Sequence, residues 1–441
     1  MRHIAAIEGL EMLFSQIENV KLTHLTCDRS SSGTFVRSSL PHISVQEIDT
    51  NKPIDFLTND EDAIAQTPIA DTMRTCGAEA LMLAEDSSQE MEDWAKNERV
   101  SLLSTPWNIQ QNLENKLFFQ ALLEEYGIPT PKTTVLHNSD DVGLVEEFPV
   151  IIQDPAVPAK QKLVITNNKE DLDTLLTSAS CPLPLLCRAF VTGQPLGVSI
   201  LIGKNDCIFS ALRLQCFSEQ HNALQEFLGI QFIKTNSIPS NILKLIEDAL
   251  SNLASALRSR GFLGVANIDF MLTENGPLFL ECNPRLSAAT PCLSMQPSLL
   301  HGFDFLTEYI RALNGDRLSK DIKKIPNTDW EGCLIQFDYF IEHLKENTNT
   351  ITTPKTGFYN LEHHSLVEGQ SKFSNEPEYL FYSGLSDNFP SDALKHLGLI
   401  VCNVPLFSPQ KDSPPLLNGT GNQLLEYCKN TFLEAIPTQS V

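Results

Sequence analysis

The 441-residue chain carries 32 basic and 55 acidic side chains, a net charge of −23, and 42% of its residues are hydrophobic. That length accommodates two or three domains with a sizeable core, and that charge argues against nucleic acid or an anionic membrane as the main partner. No apolar run approaches the length of a membrane span, no secretory signal is apparent at the N-terminus, and the eleven cysteines are scattered without a Cys-x-x-Cys, which suits a reducing cytoplasm.

Residues 1–110 alternate short apolar runs with helix-like stretches and read as an α/β domain on a parallel sheet. Ala80–Ala84 and Val100–Leu103 are strand candidates flanking a polar-faced helix from Asp86 to Asn97. The domain has neither a Gly-x-Gly-x-x-Gly nor a Walker-type loop, which excludes nucleotide binding by those devices. Asp49–Asp62 reads as an acidic, solvated loop. Asn115–Tyr126 predicts an amphipathic helix that opens on Lys116 and stops at Gly127, and Ile128-Pro-Thr-Pro131 leaves it extended. Phe148–Gln153 predicts a strand. The loop 154–162 behind it has prolines and no glycine, so it offers few backbone N–H groups to an anion.

Leu163–Thr166 is a further strand, and Asn168 caps a helix through Leu176. Leu185–Val191 and Leu196–Ile202 are strands around Thr192-Gly-Gln-Pro195. Ile208–Phe217 reads as one strand carrying Arg213 and Gln215, and 218–240 as a variable loop. Asn241–Arg260 is a helix with Ile242, Leu245, Ile246, Ala249, Leu253 and Leu257 as its apolar stripe.

The most informative stretch comes next. Gly261–Leu272 and Pro277–Arg285 read as two strands of a hairpin. By the period-2 rule Ala266, Ile268, Phe270 and Leu272 share one face, with Asn267, Asp269 and Met271 opposite. In the second strand Leu278, Leu280 and Cys282 share a face, with Phe279, Glu281 and Asn283 opposite. Both apolar faces belong to one core, so Asp269 pairs with Glu281 and Asn267 with Asn283. A three-residue turn, Glu274-Asn275-Gly276, delivers that register. Facing carboxylates repel, which a fold tolerates when a cation sits between them. The carboxylates of Asp269 and Glu281 and the amide oxygen of Asn283, without sulfur or imidazole nearby, describe a hard-cation site, most simply magnesium shared with phosphates. Arg285 supplies a fixed fork for an anion. The plainer reading of the same residues is an amphipathic hairpin with a polar solvent face.

Phe303–Leu313 is a helix ending at Asn314-Gly315. In the third region, 316–441, polar Lys320–Asp329 suits a boundary. Residues 408–421 read as a mobile loop, Gln423–Ala435 as a closing helix, and His363-His364 as a surface pair without metal-ligand partners.

Gly261-Phe-Leu-Gly264, then Asp269, then Glu281-x-Asn-Pro-Arg285, preceded far upstream by Lys116 and Gly127-Ile-Pro-x-Pro131, resembles the ATP-grasp superfamily, in particular biotin carboxylase and the carboxylate–amine ligases. The resemblance implies an α/β chain: a preATP-grasp Rossmann-like domain at 1–110, an α+β ATP-grasp module at 111–315 with lobes 111–190 and 191–315, and a C-terminal region at 316–441. It implies Mg2+ on Asp269, Glu281 and Asn283, and ATP phosphate on Lys116. Arg285 and Arg213 would serve the reacting groups. Gln153 stands at the strand end where the family usually has Lys-Pro. Arg188 stands at or near an acidic adenine-reading position, with the backbone of Ala189 and Val191 beside it. The activity implied is an ATP- and magnesium-dependent carboxylate–amine ligase acting through an acylphosphate on an amino acid, peptide or related small carboxylate, as a homodimer. The glycine-less loop, Arg188 for an acid, and Asn267 where a charged residue is frequent support an alternative, a non-catalytic nucleotide- or metabolite-binding protein on the same scaffold.

Overall fold

The computed structural model describes residues 3–7, 21–26, 43–47, 69–83, 87–155, 163–177, 183–217, 227–336, 355–383, 398–410 and 413–434. The acidic stretch Asp49–Asp62 and the loop residues 156–162 and 218–226 lie outside them.

Five parallel strands form the first sheet, in the order Ser44–Glu47, Lys21–Thr26, His3–Ile7, Ala80–Met82, Ser101–Leu103. Leu25, Ile69, Met73, Leu81 and Met91 close one side of it. Helix Gln89–Glu98 starts where the side chain of Ser88 accepts from the Met91 amide, one of the orphan donors of a helix start.

The second sheet is antiparallel and four-stranded: Thr133–Leu136, Leu185–Ala189, Val150–Gln153, Leu163–Thr166. Helix Lys169–Thr177 covers it through Leu172 and Leu176. The Asn168 side chain accepts from the Asp171 amide, the cap that the sequence predicts.

The third sheet has eleven strands. It runs from Gly276–Asn283 through Gly264–Thr273, Gln194–Ile202, Arg213–Phe217 and Phe227–Phe232. It then continues without a break into Cys333–Gln336, Gly398–Cys402, Glu378–Ser383 and Gly357–Asn360. Helix Ser240–Ser259 packs on one face through Ile246, Leu250, Leu253 and Leu257, and helix Phe305–Leu313 on the other through Phe305, Leu306 and Tyr309. The segment that follows Gly315 is pinned to this body: Phe209 donates to Ile322, and the Ile325 amide donates to buried Glu247.

Three sequence expectations need correction here. Ile208–Phe217 is two strands, Cys207–Phe209 and Arg213–Phe217, because the Ala211 amide between them turns away to donate to Leu299. Within 218–240, residues Phe227–Phe232 form a strand in the middle of the large sheet. Within 408–421, Phe407–Gln410 and Ser413–Leu417 pair as a two-stranded antiparallel ribbon rather than a loop. A ribbon of two edge strands is where a sheet tolerates Pro409, Pro414 and Pro415, since an edge leaves N–H positions unused. The closing helix is Gly419–Glu434. Of the predicted surface pair, His363 is exposed, but His364 stacks on Tyr427 at 3.8 Å.

Candidate active site

Strands Gly264–Thr273 and Gly276–Asn283 pair antiparallel, with Asp269 opposite Glu281 and Asn267 opposite Asn283. The route to this register differs from the expected one. The turn has two residues, Glu274 and Asn275, so Thr273 pairs with Gly276 and Phe270 with Phe279. Leu280 is then an extra residue, a β-bulge, and beyond it the ladder shifts into the Asp269–Glu281 register. Leu278 and Leu280 are therefore only partly buried, while Phe279 is fully buried with its ring 5.3 Å from that of Phe270. Burial of a phenylalanine is worth roughly 1.5–3 kcal/mol and the aromatic pair about 0.5–1.5 more. One bulge thus serves both ends of the strand: Phe279 enters the core and Glu281 stays out of it.

The Asn283 amide nitrogen sits between the two carboxylates, 3.3 Å from Asp269 Oδ2 and 3.2 Å from Glu281 Oε1. It stands where a cation would neutralise the pair. Rotating the amide presents its oxygen instead, which gives three hard oxygen donors and fits a magnesium-type ion. Among the described residues no group of three or more His, Cys, Asp and Glu has metal-site geometry. A metal here would rest on two carboxylates, Asn283 and oxygens of its ligand. Loss of solvent pushes the Asp269 carboxyl up to about 7; Arg213 pulls it down, Glu281 pushes it further up, and a hydrogen bond from Gln215 and the charge of Arg285 pull it down.

Lys116 is the first residue of helix Lys116–Glu125, capped by Asn115, whose side chain accepts from Leu117 and Phe118. Its ammonium is buried 3.8 Å from Glu281 Oε2. Its amide donates to the carbonyl of Pro155, which ties the helix start to the strand end after Gln153. Hairpin and helix exit are joined as well: Phe279 N–H donates to Pro129.

Arg188, 4% exposed, reaches across from the four-stranded sheet. Its Nη1 donates to Gln153 Oε1 at 3.2 Å and to the carbonyl of Leu280 at 3.1 Å, and its Nη2 to Gln120 Oε1 at 3.3 Å. Its Nε is buried with no partner. Burial lowers this guanidinium to about 10, against the opposing charge of Glu281. The Ala189 amide donates to Lys132, so only its carbonyl can serve a ligand. Val191 follows the strand end and is partly exposed beside exposed Phe190.

On the other side of the carboxylate pair lies Arg213, 3% exposed. Its Nη1 donates to Ser199 Oγ at 3.1 Å and its Nη2 to Asn267 Oδ1 at 3.4 Å. Burial lowers its pKa, against Asp269. The guanidinium lies over Gly197, where a Cβ would come within 3.0 Å of it. Asn267 in turn donates to the carbonyl of Arg285 at 2.6 Å. The Arg285 guanidinium pairs with Glu114, at the end of helix Trp107–Glu114.

The structure thus gathers Lys116, Gln153, Arg188, Arg213, Asp269, Glu281, Asn283 and Arg285 around one hairpin. Gln120, Glu114 and Ser199 complete the arrangement and were not singled out by sequence. Gln120 had a local signal, since it lies one helical turn after Lys116 on the same face. Glu114 and Ser199 had none, because their partners are distant in sequence.

Residues 113–289 match the family model of the ATP-grasp domain. The arginine-specific large chain of carbamoyl phosphate synthase from Bacillus subtilis is 24% identical over 262 residues, 58% of this chain. The chain spans about a quarter (24%) of the length of that relative. Biotin carboxylase from Campylobacter jejuni, solved as a complex with β-γ-ATP, superposes with a TM-score of 0.62 at 11% identity over 98% of this chain and 96% of its own. The L-amino acid ligase from Bacillus licheniformis superposes with a TM-score of 0.56 at 13% identity over 98% of both chains. No helix among the described residues is long and apolar enough to cross a membrane.

Proposed function

We propose that the chain is an ATP- and magnesium-dependent ligase that joins a small carboxylate to an amine. The observation that carries this reading is the facing pair Asp269–Glu281, bridged by Asn283, with buried Lys116 on Glu281 and Arg213 and Arg285 beside Asp269. Asp269, Glu281 and Asn283 would hold a divalent ion, which would neutralise phosphate charge. Lys116 adds one cation on the nucleotide side. A substrate carboxylate attacks the γ-phosphorus and ADP leaves; the amine then attacks the acylphosphate carbon, losing a proton as phosphate departs. Arg285, once exchanged from Glu114, offers a two-pronged donor to the carboxylate or the transferring phosphoryl group. Such a transfer needs positioning and charge rather than a protein nucleophile. An amino acid or short peptide is the substrate class we favour, and a homodimer the assembly; light scattering of the purified chain tests the latter.

The test of activity is ADP release with ATP, magnesium and a panel of carboxylates paired with amines. Release that needs both partners and disappears in Asp269→Asn supports the reading. Tight nucleotide binding with no ADP across the panel supports the second one, a non-catalytic binding protein. That alternative draws on one observation: Arg188 spans from the small sheet to the hairpin and already occupies Gln153.

A further inference from the structure

We infer that Arg188 is a positioning residue for Glu281, acting through the backbone of the hairpin. This rests on reading the hairpin as a metal site. The argument starts at the bulge. Between the Phe270–Phe279 and Asp269–Glu281 pairs, Leu280 has no partner across the ladder. Its carbonyl is instead taken by Arg188 Nη1 at 3.1 Å. Without the bulge, the register of Phe270–Phe279 would run on and Glu281 would face the core side with Ile268, where a carboxylate is unaffordable without a partner. Whatever holds Leu280 out therefore holds Glu281 opposite Asp269.

Arg188 is well built for this. It sits in the centre of the four-stranded sheet, between Thr133–Leu136 and Val150–Gln153. It is buried, so its stem has little freedom. Gln153 Oε1 and Gln120 Oε1, from a strand and a helix of the same lobe, fix the plane of the fork. Gln120 is itself oriented, donating to Glu124 at 2.8 Å and accepting from Thr130 at 3.0 Å. The chain of support runs from Thr130 and Gln120 through Arg188 to Leu280 and then to Glu281.

Charge and positioning predict opposite signs, which makes the idea testable. Arg188 is a cation near Glu281. If it acted by charge alone, its removal would strengthen divalent-ion binding, because a competing positive charge is gone. If it holds the bulge, removal weakens binding. Mn2+ alone, titrated by electron paramagnetic resonance against the full chain without nucleotide, reads this. We expect Arg188→Met to bind Mn2+ about tenfold more weakly, the low end for loss of a support behind a metal ligand. Arg188→Lys should recover part of that, since an ammonium can reach the Leu280 carbonyl but lacks the fork; it also serves if the methionine variant fails to fold. Lys116→Met, which removes a cation beside Glu281 without touching the bulge, should bind Mn2+ at least as tightly as the parent.

Amide hydrogen exchange by mass spectrometry over Phe279–Asn283, in chelator, is the metal-independent reading. It should quicken about tenfold in Arg188→Met and stay unchanged in Lys116→Met. Tighter Mn2+ binding by Arg188→Met overturns the inference. So does unchanged exchange over Phe279–Asn283 together with weaker ATP binding in chelator, which would make Arg188 a direct nucleotide ligand through its open Nε. If the parent's Mn2+ binding is insensitive to Asp269→Asn, the metal reading fails, and the exchange result alone decides on Arg188.

Discussion

Two buried arginines flank the carboxylate pair, and they are held in different ways. Arg213 is surrounded by partners from its own sheet: Ser199 and Asn267 accept from it, and Asp269 faces it. All four residues lie on three neighbouring strands, so their spacing is set by one hydrogen-bonded ladder. Arg188 belongs to the small sheet and takes acceptors from a helix, a strand and the hairpin of the large sheet. Its charge has no carboxylate within the hydrogen-bonded set. The same side chain is thus a charge partner inside a rigid sheet at one place and a link between two sheets at the other. Damage at Arg213 should appear as lost stability, and damage at Arg188 as lost geometry at the metal site.

The largest expected effect lies between the two. Asp269→Asn should abolish ADP formation and weaken magnesium–ATP binding, since one anionic oxygen ligand is gone. In chelator it should melt at the same temperature as the parent or higher, because a carboxylate stripped of solvent and facing Glu281 becomes neutral, which outweighs the lost attraction to Arg213. A variant that melts clearly lower in chelator and still turns over ATP would make the pair a structural element.

Arg213→Met should cost about 3 kcal/mol in a urea melt in chelator, as expected when one member of a buried charged cluster is removed. Arg188→Met, whose acceptors are neutral, should cost about 1–2 kcal/mol. Equal losses would erase the distinction drawn between the two sites.

The pH dependence is the next smaller effect. Folded Asp269 keeps its proton up to about 7, whereas an unfolded aspartate releases it near about 3.9. Between those values the folded chain binds more protons than the unfolded one. Stability of the metal-free protein should therefore fall as pH rises through that window and level off above it. Subtracting the Asp269→Asn melt at each pH isolates this slope; a difference that rises with pH instead would reverse the assigned shift.

The smallest is Gly197→Ala. A methyl there meets the Arg213 guanidinium at 3.0 Å. The fork must tilt, which should cost about 1 kcal/mol and leave the Arg188 side untouched. An unchanged melt would show that Arg213 has room to spare.

Much of the site was legible in the sequence because strand periodicity is local. Alternation alone puts Asp269 on the polar face of its strand, and Glu281 with Asn283 on that of the other. Asn115, Lys116 and Gly127 mark a helix by its own cap and stop. The pairing of Asp269 with Glu281 followed from requiring a single core, although the turn that was expected to produce it is not the one the chain uses. What only the tertiary structure decided is where that alternation breaks. The bulge at Leu280 goes with Phe279 packing on Phe270 and with Arg188 taking the Leu280 carbonyl, and both depend on segments distant in sequence. Glu114 meets Arg285, and Gln120 meets Arg188, for the same reason. Strand Cys333–Gln336 joins the large sheet through Phe227–Phe232, about a hundred positions upstream, and Gly398–Cys402 then pairs with Cys333–Gln336. Local periodicity determines which way a side chain points on its own strand, but which strand lies opposite, and which residue the ladder skips, is set by burial summed over the whole fold.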